Sequence, residues 1–270
     1  MFDQSNFKDT QEHSSDLALI IVQLGYKGVY DWLMIASGIS NVEFSWNRFD
    51  KTGAKEWCRP AYEYDKERGD INQKYITELT TFNYIWGAFE NLISEIFTQT
   101  QINKKGKINL SLKAMDFNDP PVYGYEYIKS EFSSCFREAV NEHLYIYPEK
   151  HFSNEELKII YQLRNKFAHG DLRFPESMKS NSDSPPIIIE LVKASSRIIL
   201  CYIQGLILLN EKGGVVYSFI DNLFNNPKWE ELDDDYLNSS YILSRLHLKK
   251  VPEDDFGLTL FYDYYYNLPI

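Results

Sequence analysis

The hydrophobic positions of this sequence recur at spacings of three and four residues over several long stretches. That spacing is typical of a helix with one buried face. The clearest stretch covers residues 71–100 and predicts a long packed helix. Its predicted buried seam consists of Tyr75, Leu79, Phe82, Trp86, Phe89, Ile93 and Ile96.

Three further stretches predict helices. Asp16 is placed to cap a first helix that ends near Ser37, with Gly25 and Gly28 weakening its middle. Residues 125–144 carry one apolar face, and residues 186–210 are apolar on most sides. The last stretch predicts the central helix of a bundle or a dimer face. The apolar face of the 125–144 stretch consists of Ile128, Phe132, Cys135, Phe136, Ala139 and Val140.

The stretch after the first helix is rich in aromatic residues and has no regular period. We expect Trp46, Trp57, Cys58 and Pro60 to pack as a loop under the helices. The alternative is that the two tryptophans stack on bases. The charge run at 65–70 predicts a solvated connector before the long helix.

These patterns predict an all-α protein in three parts. Residues 1–69 form an N-terminal helical and aromatic extension, and residues 70–211, which include one more helix described next, form a four-helix bundle. Residues 212–270 form an acidic C-terminal extension of short helices packed on the bundle.

One more helix, in the stretch 153–173, organises the candidate chemistry. Ser153 and Glu156 have the spacing of a capping box, and Gly170 is the residue type that ends helices in the left-handed conformation. Arg164 falls inside the apolar arc of this helix, where an arginine needs an anionic partner. The other members of that arc are Leu157, Ile160, Tyr161, Leu163, Phe167 and Ala168.

Asn165 and His169 are four residues apart and therefore lie one above the other beside Arg164. A purely structural interpretation exists: Arg164 pairs with an internal carboxylate, and His169 is a histidine favoured at a helix C-terminus. Glu90, on the long helix, is the candidate carboxylate for that pair, although a solvated glutamate is the simpler interpretation.

The order Arg-Asn, three residues, His resembles the Arg-x(4–6)-His signature of the HEPN superfamily, over roughly residues 70–211. The resemblance implies a HEPN-like helical bundle that dimerises so that two copies of the motif face each other. It also implies a metal-independent endoribonuclease without a cofactor, of the kind found in bacterial toxins and anti-phage effectors. The implied partners are an RNA substrate such as tRNA, and an antitoxin, sensor or ATPase protein.

The resemblance implies a role for each residue of the motif. His169 would transfer protons, because imidazoles exchange protons near neutral pH. Arg164 would stabilise the charge that develops on the phosphate, and Asn165 would orient His169 or hold a phosphate oxygen.

Basic residues near the motif are candidates for phosphate contacts. The stretch 101–109 is expected to be a basic loop, although a solvated turn explains it equally well. The candidates are Lys166, Arg173 and Lys179 near the motif and Lys104, Lys105 and Lys107 in the loop.

The composition limits the other possibilities. The net charge of −11 makes the chain a poor non-specific binder of nucleic acid, so any RNA contact must be local or supplied by a partner. The three cysteines have no metal-ligand spacing and suit a reducing compartment. The N-terminal residues do not resemble a signal peptide, and the longest apolar run, residues 198–209, is too short to span a membrane and contains Gln204. We expect a soluble cytoplasmic protein with no membrane partner.

Two other functions fit the same sequence. One is a non-catalytic HEPN-like module that scaffolds a partner or binds a nucleotide. The other is an antitoxin or immunity protein whose acidic surface binds a basic partner.

Overall fold

A computed structural model describes residues 3–45, 53–115, 118–141, 156–171, 174–175, 186–210 and 243–249. The fold is an all-α helical bundle, as the periodicity predicts. After a short 3-10 turn at Gln4–Asn6, the helices are α1 (Thr10–Gln23), α2 (Lys27–Gly38), α3 (Ala54–Trp57), α4 (Arg59–Ile96), α5 (Gln99–Lys105), α6 (Lys107–Ala114), α7 (Tyr125–Asn141), α8 (Glu156–Ala168) and α9 (Ile187–Asn210).

Helix α9 is the centre of the bundle, which confirms one of the two roles expected from its apolar sequence. It packs against α4 and α7 over long contacts and also meets α1, α6 and α8. Most of its residues are buried, from Ile188 to Ile207. Within the described residues it is also the one helix whose length and composition would allow it to cross a membrane, yet 83% of its most apolar window lies inside the bundle.

The predicted apolar faces of α4 and α7 are confirmed. Six of the seven seam residues of α4, from Tyr75 to Ile93, are buried, and Ile96 packs against the core from its edge. On α7 the buried residues include Ile128, Phe132 and Ala139. These faces share one core with α1, α2, α8 and α9.

The expected connector at residues 65–70 is wrong, because α4 begins earlier, at Arg59. Pro60 stands in the first turn, where its fixed backbone angle favours a helix start. All charged side chains of this run except the half-buried Asp65 are exposed, as expected, but solvation does not prevent a helix. Arg59 and Glu63 support the first turn with an exposed pair at 2.7 Å.

The expected packing of Trp57, Cys58 and Pro60 under the helices is also wrong. Trp57 ends α3 and is 84% exposed, and Cys58 and Pro60 are exposed beside it. This part of the chain leads into the solvated first turns of α4, and none of the described helices buries these three side chains. Trp46 lies outside the described residues.

The single first helix that was expected is two helices. Asp9, rather than Asp16, is the N-cap, and its carboxylate forms a capping box with Glu12. Gly25 then adopts a φ of +92°, a left-handed conformation that ends α1 and lets the chain reverse into α2.

The basic stretch 101–109 is helical rather than a loop. Thr98 caps α5 through a reciprocal capping box with Gln101. Gly106, at a φ of +74°, is the single residue that separates α5 from α6. A loop was expected because glycine and lysines often mark turns, but here the glycine only redirects one helix into the next.

Residues 243–249, which we call the C-terminal strap, contact the segment at the other end of the described chain. The Lys8 amide donates to the carbonyl of His247 at 2.9 Å, and the Lys249 amide donates to Asn6 at 2.7 Å. These bonds flank an isolated antiparallel bridge between Phe7 and Leu248. The strap therefore pairs with the segment that precedes α1.

The side chain of Gln204 on α9 is fully buried and binds the strap through hydrogen bonds. Its amide nitrogen donates to the carbonyl of Leu243 and, at 3.3 Å, to Nδ1 of His247. Its amide oxygen accepts from Nε2 of His13 on α1 at 2.8 Å. Because only the nitrogen can donate to the Leu243 carbonyl, the amide cannot be turned round without losing a bond.

The partners of His247 require its ring to be neutral. Nδ1 of His247 accepts from Gln204, so the ring proton lies on Nε2, which donates to the Tyr123 carbonyl at 2.9 Å. Burial lowers the pKa of His247 to about 3, and burial followed by the neighbouring His247 lowers the pKa of His13 well below its usual range.

Nearby cations also lower the pKa values of the two histidines. Lys8 pairs with Asp16, and Arg197 pairs with Glu131 at 2.9 Å while also reaching the Lys8 carbonyl. The guanidinium of Arg245 lies over the Tyr123 ring at 4.5 Å. Lys249 and Glu12 form a further pair at 2.7 Å on the outside of the strap. Protonation of either histidine would place a positive charge close to these cations. At His247, the added proton on Nδ1 would also clash with the N–H group that Gln204 donates to that atom.

We therefore expect the free energy of unfolding to fall as pH is lowered from 6.5 to 5. The folded-state pKa of each buried histidine lies below its unfolded value, so the unfolded chain binds protons that the folded chain does not. The slope should approach about 1.4 kcal/mol per pH unit for each histidine. Urea denaturation at a series of pH values measures it.

Two variants test the assignment of that slope. His247→Asn removes one of the two titrating groups, so the slope should fall to about half, while Gln162→Ala removes no titrating group and should preserve it. An unchanged slope in His247→Asn would show that the pH dependence arises elsewhere.

Candidate active site

The candidate site lies on α8, which is positioned by its buried face. Leu157, Ile160 and Leu163 are buried where α8 packs on α9 and α6. At its start, the buried Glu156 carboxylate lies 3.5 Å from the ammonium of Lys129 on α7. Ser153, the expected cap, lies outside the described residues.

The end of α8 is a Schellman motif, which confirms the expected role of Gly170. The Asp171 amide donates to the Lys166 carbonyl at 2.8 Å, and the Gly170 amide donates to the Phe167 carbonyl at 3.0 Å. Gly170 has a φ of +74°. The His169 amide still donates to the Asn165 carbonyl at 2.9 Å, so helical geometry extends to His169.

Arg164 is half-buried at the edge of the packed face of α8. Within the described part of the chain it forms no ion pair, and its one polar contact is a long 3.4 Å bond to Oδ1 of Asn165. Glu90, the candidate carboxylate, is occupied elsewhere. It accepts from the Trp86 indole at 2.8 Å and lies 3.6 Å from the ammonium of Lys107.

His169 is exposed, and Asn165 is half-buried one turn before it. With Tyr161 they form a row at positions i, i+4 and i+8, which we call the α8 row; it runs along the outer side of the helix. The motif residues thus occur together at one helix end. Arg164 flanks the α8 row on the side of the core.

Tyr161 and Ala168 do not belong to the buried face where the periodicity placed them. Tyr161 is 41% exposed, and Ala168 is exposed at the helix end. Both lie at the margin of the apolar arc, where the helical period alone cannot distinguish a buried position from a rim position.

The Tyr161 ring stacks on Trp86 of α4, with centroids 6.1 Å apart and planes 25° apart. This contact is not among those predicted from the sequence. The sequence shows an aromatic residue on each helix. It does not show which aromatic residues of α4 and α8 contact each other, because that depends on how the two helices pack.

The other candidate cations are spread over the molecule. Lys104 and Lys105 are exposed on α5, and the ammonium of Lys113 beside it lowers the pKa of Lys105. Lys107 forms an ion pair with Glu90, and its ammonium also donates to the backbone carbonyl of Glu90 at 3.0 Å. Lys166 is half-buried on α8. Arg173 and Lys179 lie outside the described residues.

Over the described ranges, no cluster of histidine, cysteine, aspartate or glutamate is arranged to hold a metal ion. Compared with protein-family models, curated proteins and solved structures, the chain matches none. Function must therefore be inferred from the geometry of α8 and its neighbours.

Replacing Gly170 by alanine should lower the free energy of unfolding by about 1–2 kcal/mol. The space around it is open, so the cost is that of holding a Cβ-bearing residue at a positive φ. Gly38→Ala is the matched control, since Gly38 also has open space around it but no positive φ. Urea denaturation should find that control as stable as the unsubstituted protein or more so; equal stability of Gly170→Ala would contradict the Schellman cap.

Proposed function

We propose that this protein is a HEPN-type, metal-independent endoribonuclease that cleaves RNA by attack of the 2′-hydroxyl group. The catalytic residues would be Arg164, Asn165 and His169, at the interface of a homodimer. The biological role would be that of a toxin or anti-phage effector, controlled by an antitoxin, sensor or ATPase partner.

One observation carries the proposal: a half-buried arginine with no carboxylate partner in the described structure lies on the same helix end as an exposed histidine, five residues before it. The competing structural interpretation requires Arg164 to pair with an internal carboxylate. Its candidate, Glu90, instead contacts Trp86 and Lys107. An arginine kept at a helix seam without an anion is suited to receive one from a ligand, and a phosphate fits its planar fork.

The reaction needs three actions from the protein. A base takes the proton from the 2′-hydroxyl, whose oxygen then bonds to the adjacent phosphorus. The bond from phosphorus to the 5′-oxygen breaks, and an acid gives that oxygen a proton. The products are a 2′,3′-cyclic phosphate and a 5′-hydroxyl end. His169 would be the acid or base, and Arg164 would stabilise the extra negative charge on the phosphorane.

A second copy of the chain would complete this chemistry. The motif contributes one imidazole per chain, whereas concerted transfer requires both an acid and a base. His169 lies exposed at the end of α8, accessible to a neighbouring subunit. A two-fold axis near this end would bring two imidazoles and two guanidinium groups to one phosphate.

His169→Ala should lower the rate of RNA cleavage by roughly 10²–10⁴-fold in the presence of EDTA. Arg164→Ala should lower it to a similar extent, because it removes charge stabilisation in the transition state. The measurement uses tRNA and total RNA as substrates and assays the new ends for a cyclic phosphate and a 5′-hydroxyl.

Gln162→Ala, on the same helix but outside the α8 row, is the matched control and should cleave RNA at the unsubstituted rate. A DNA strand of the same sequence should remain intact because it lacks the nucleophile. Equal cleavage by the unsubstituted and His169→Ala proteins would remove His169 from the mechanism. An Arg164→Ala protein that melts at a lower temperature but is as toxic to cells as the original would favour the non-catalytic scaffold.

A further inference from the structure

Tyr161 lies at one end of the α8 row and is held in place by a chain of contacts. One side of its ring meets Trp86, while 41% of the residue remains exposed. Trp86 itself is buried and donates its indole N–H to Glu90 at 2.8 Å. Lys107 fixes Glu90 by contacts to both its carboxylate and its backbone carbonyl.

Helices α4, α6 and α8 therefore orient one exposed aromatic ring. A ring oriented before binding loses little conformational entropy when a ligand stacks on it. Tyr161 precedes Arg164 by three residues and Asn165 by four, so its side chain and theirs are neighbours on the helix surface.

The overall charge of the protein favours stacking as the source of affinity. With a net charge of −11, the chain offers little general attraction to phosphates. Contacts to base faces do not depend on positive charge, and stacking of a base on an aromatic side chain contributes substantially to binding of single strands.

We infer that Tyr161 is a base-stacking subsite, and that the substrate is RNA with an unpaired nucleotide beside the cleaved phosphate. This inference rests on the proposed ribonuclease function and specifies its substrate class. A base in a duplex has both faces covered by its neighbours, so only a single strand or a loop can present one to Tyr161.

Two substitutions separate stacking from support of the fold. Tyr161→Leu keeps an apolar contact with Trp86 but removes the ring, while Tyr161→Phe keeps the ring and removes the hydroxyl. Tyr64→Leu, at an exposed tyrosine near the start of α4, is the matched control. All are made in the His169→Ala background so that RNA is not cleaved during the measurement.

The measurement is fluorescence anisotropy with a labelled single-stranded RNA and with a duplex of the same sequence. Tyr161→Leu should weaken binding of the single strand roughly 5- to 100-fold, and Tyr161→Phe should bind as the background protein does. Tyr64→Leu should have no effect, and the duplex should bind more weakly than the single strand. Because stacking on Tyr161 releases no counterions, the loss of affinity in Tyr161→Leu should be the same at low and high salt concentration.

The results distinguish failure of this inference from failure of the proposed function. If the protein with His169 intact cleaves RNA while Tyr161→Leu binds the single strand unchanged, the stacking subsite is wrong and the ribonuclease assignment stands. Equal affinity for duplex and single strand would likewise overturn the subsite. If no form of the protein binds or cleaves RNA, both proposals are wrong. A thermal melt of Tyr161→Leu that matches the background protein shows that lost binding is not lost folding.

Discussion

The bonding requirement of one buried amide, that of Gln204, determines how the bundle closes. An amide without partners in this position would destabilise the fold by about 1–3 kcal/mol. Gln204 finds its partners on two distant segments, His13 on α1 and Leu243 with His247 on the strap. The central apolar helix can therefore contain this residue only when both segments are in place. The neighbouring cations Lys8 and Arg197 have their own carboxylates, which leaves the histidines neutral within the network.

Local periodicity was enough to predict much of the fold. The seam of α4, the apolar face of α7 and the burial of α9 all follow from spacings of three and four. The positions where helices begin and end were less predictable, because a single residue can determine each of them. Gly25 divides the first helix, and Pro60 starts α4 before the charge run. The Gln204 network could not be predicted, since no local pattern indicates that His13 and His247 meet.

In the candidate site, too, features within one helix were predictable from the sequence and features that depend on tertiary packing were not. Arg164, Asn165 and His169 belong to one helix, so their shared position could be read from spacing, and Gly170 marked its end. What surrounds them depends on tertiary packing. Whether Arg164 meets a carboxylate, and whether Tyr161 is covered, depends on how α4 and α6 approach α8. Glu90 was a reasonable partner for Arg164 by type, but its position on α4 directs it to Trp86 and Lys107.

The bridge between Phe7 and Leu248 has a consequence for synthesis on the ribosome. The segment before α1 is translated well before its backbone partners in the strap, which follow about 240 residues later. The nascent α1 therefore remains without the strap until residue 249 has been translated and has left the ribosome. Contacts of such long sequence separation form slowly, so closure of the strap should be a late event in folding of the newly made protein.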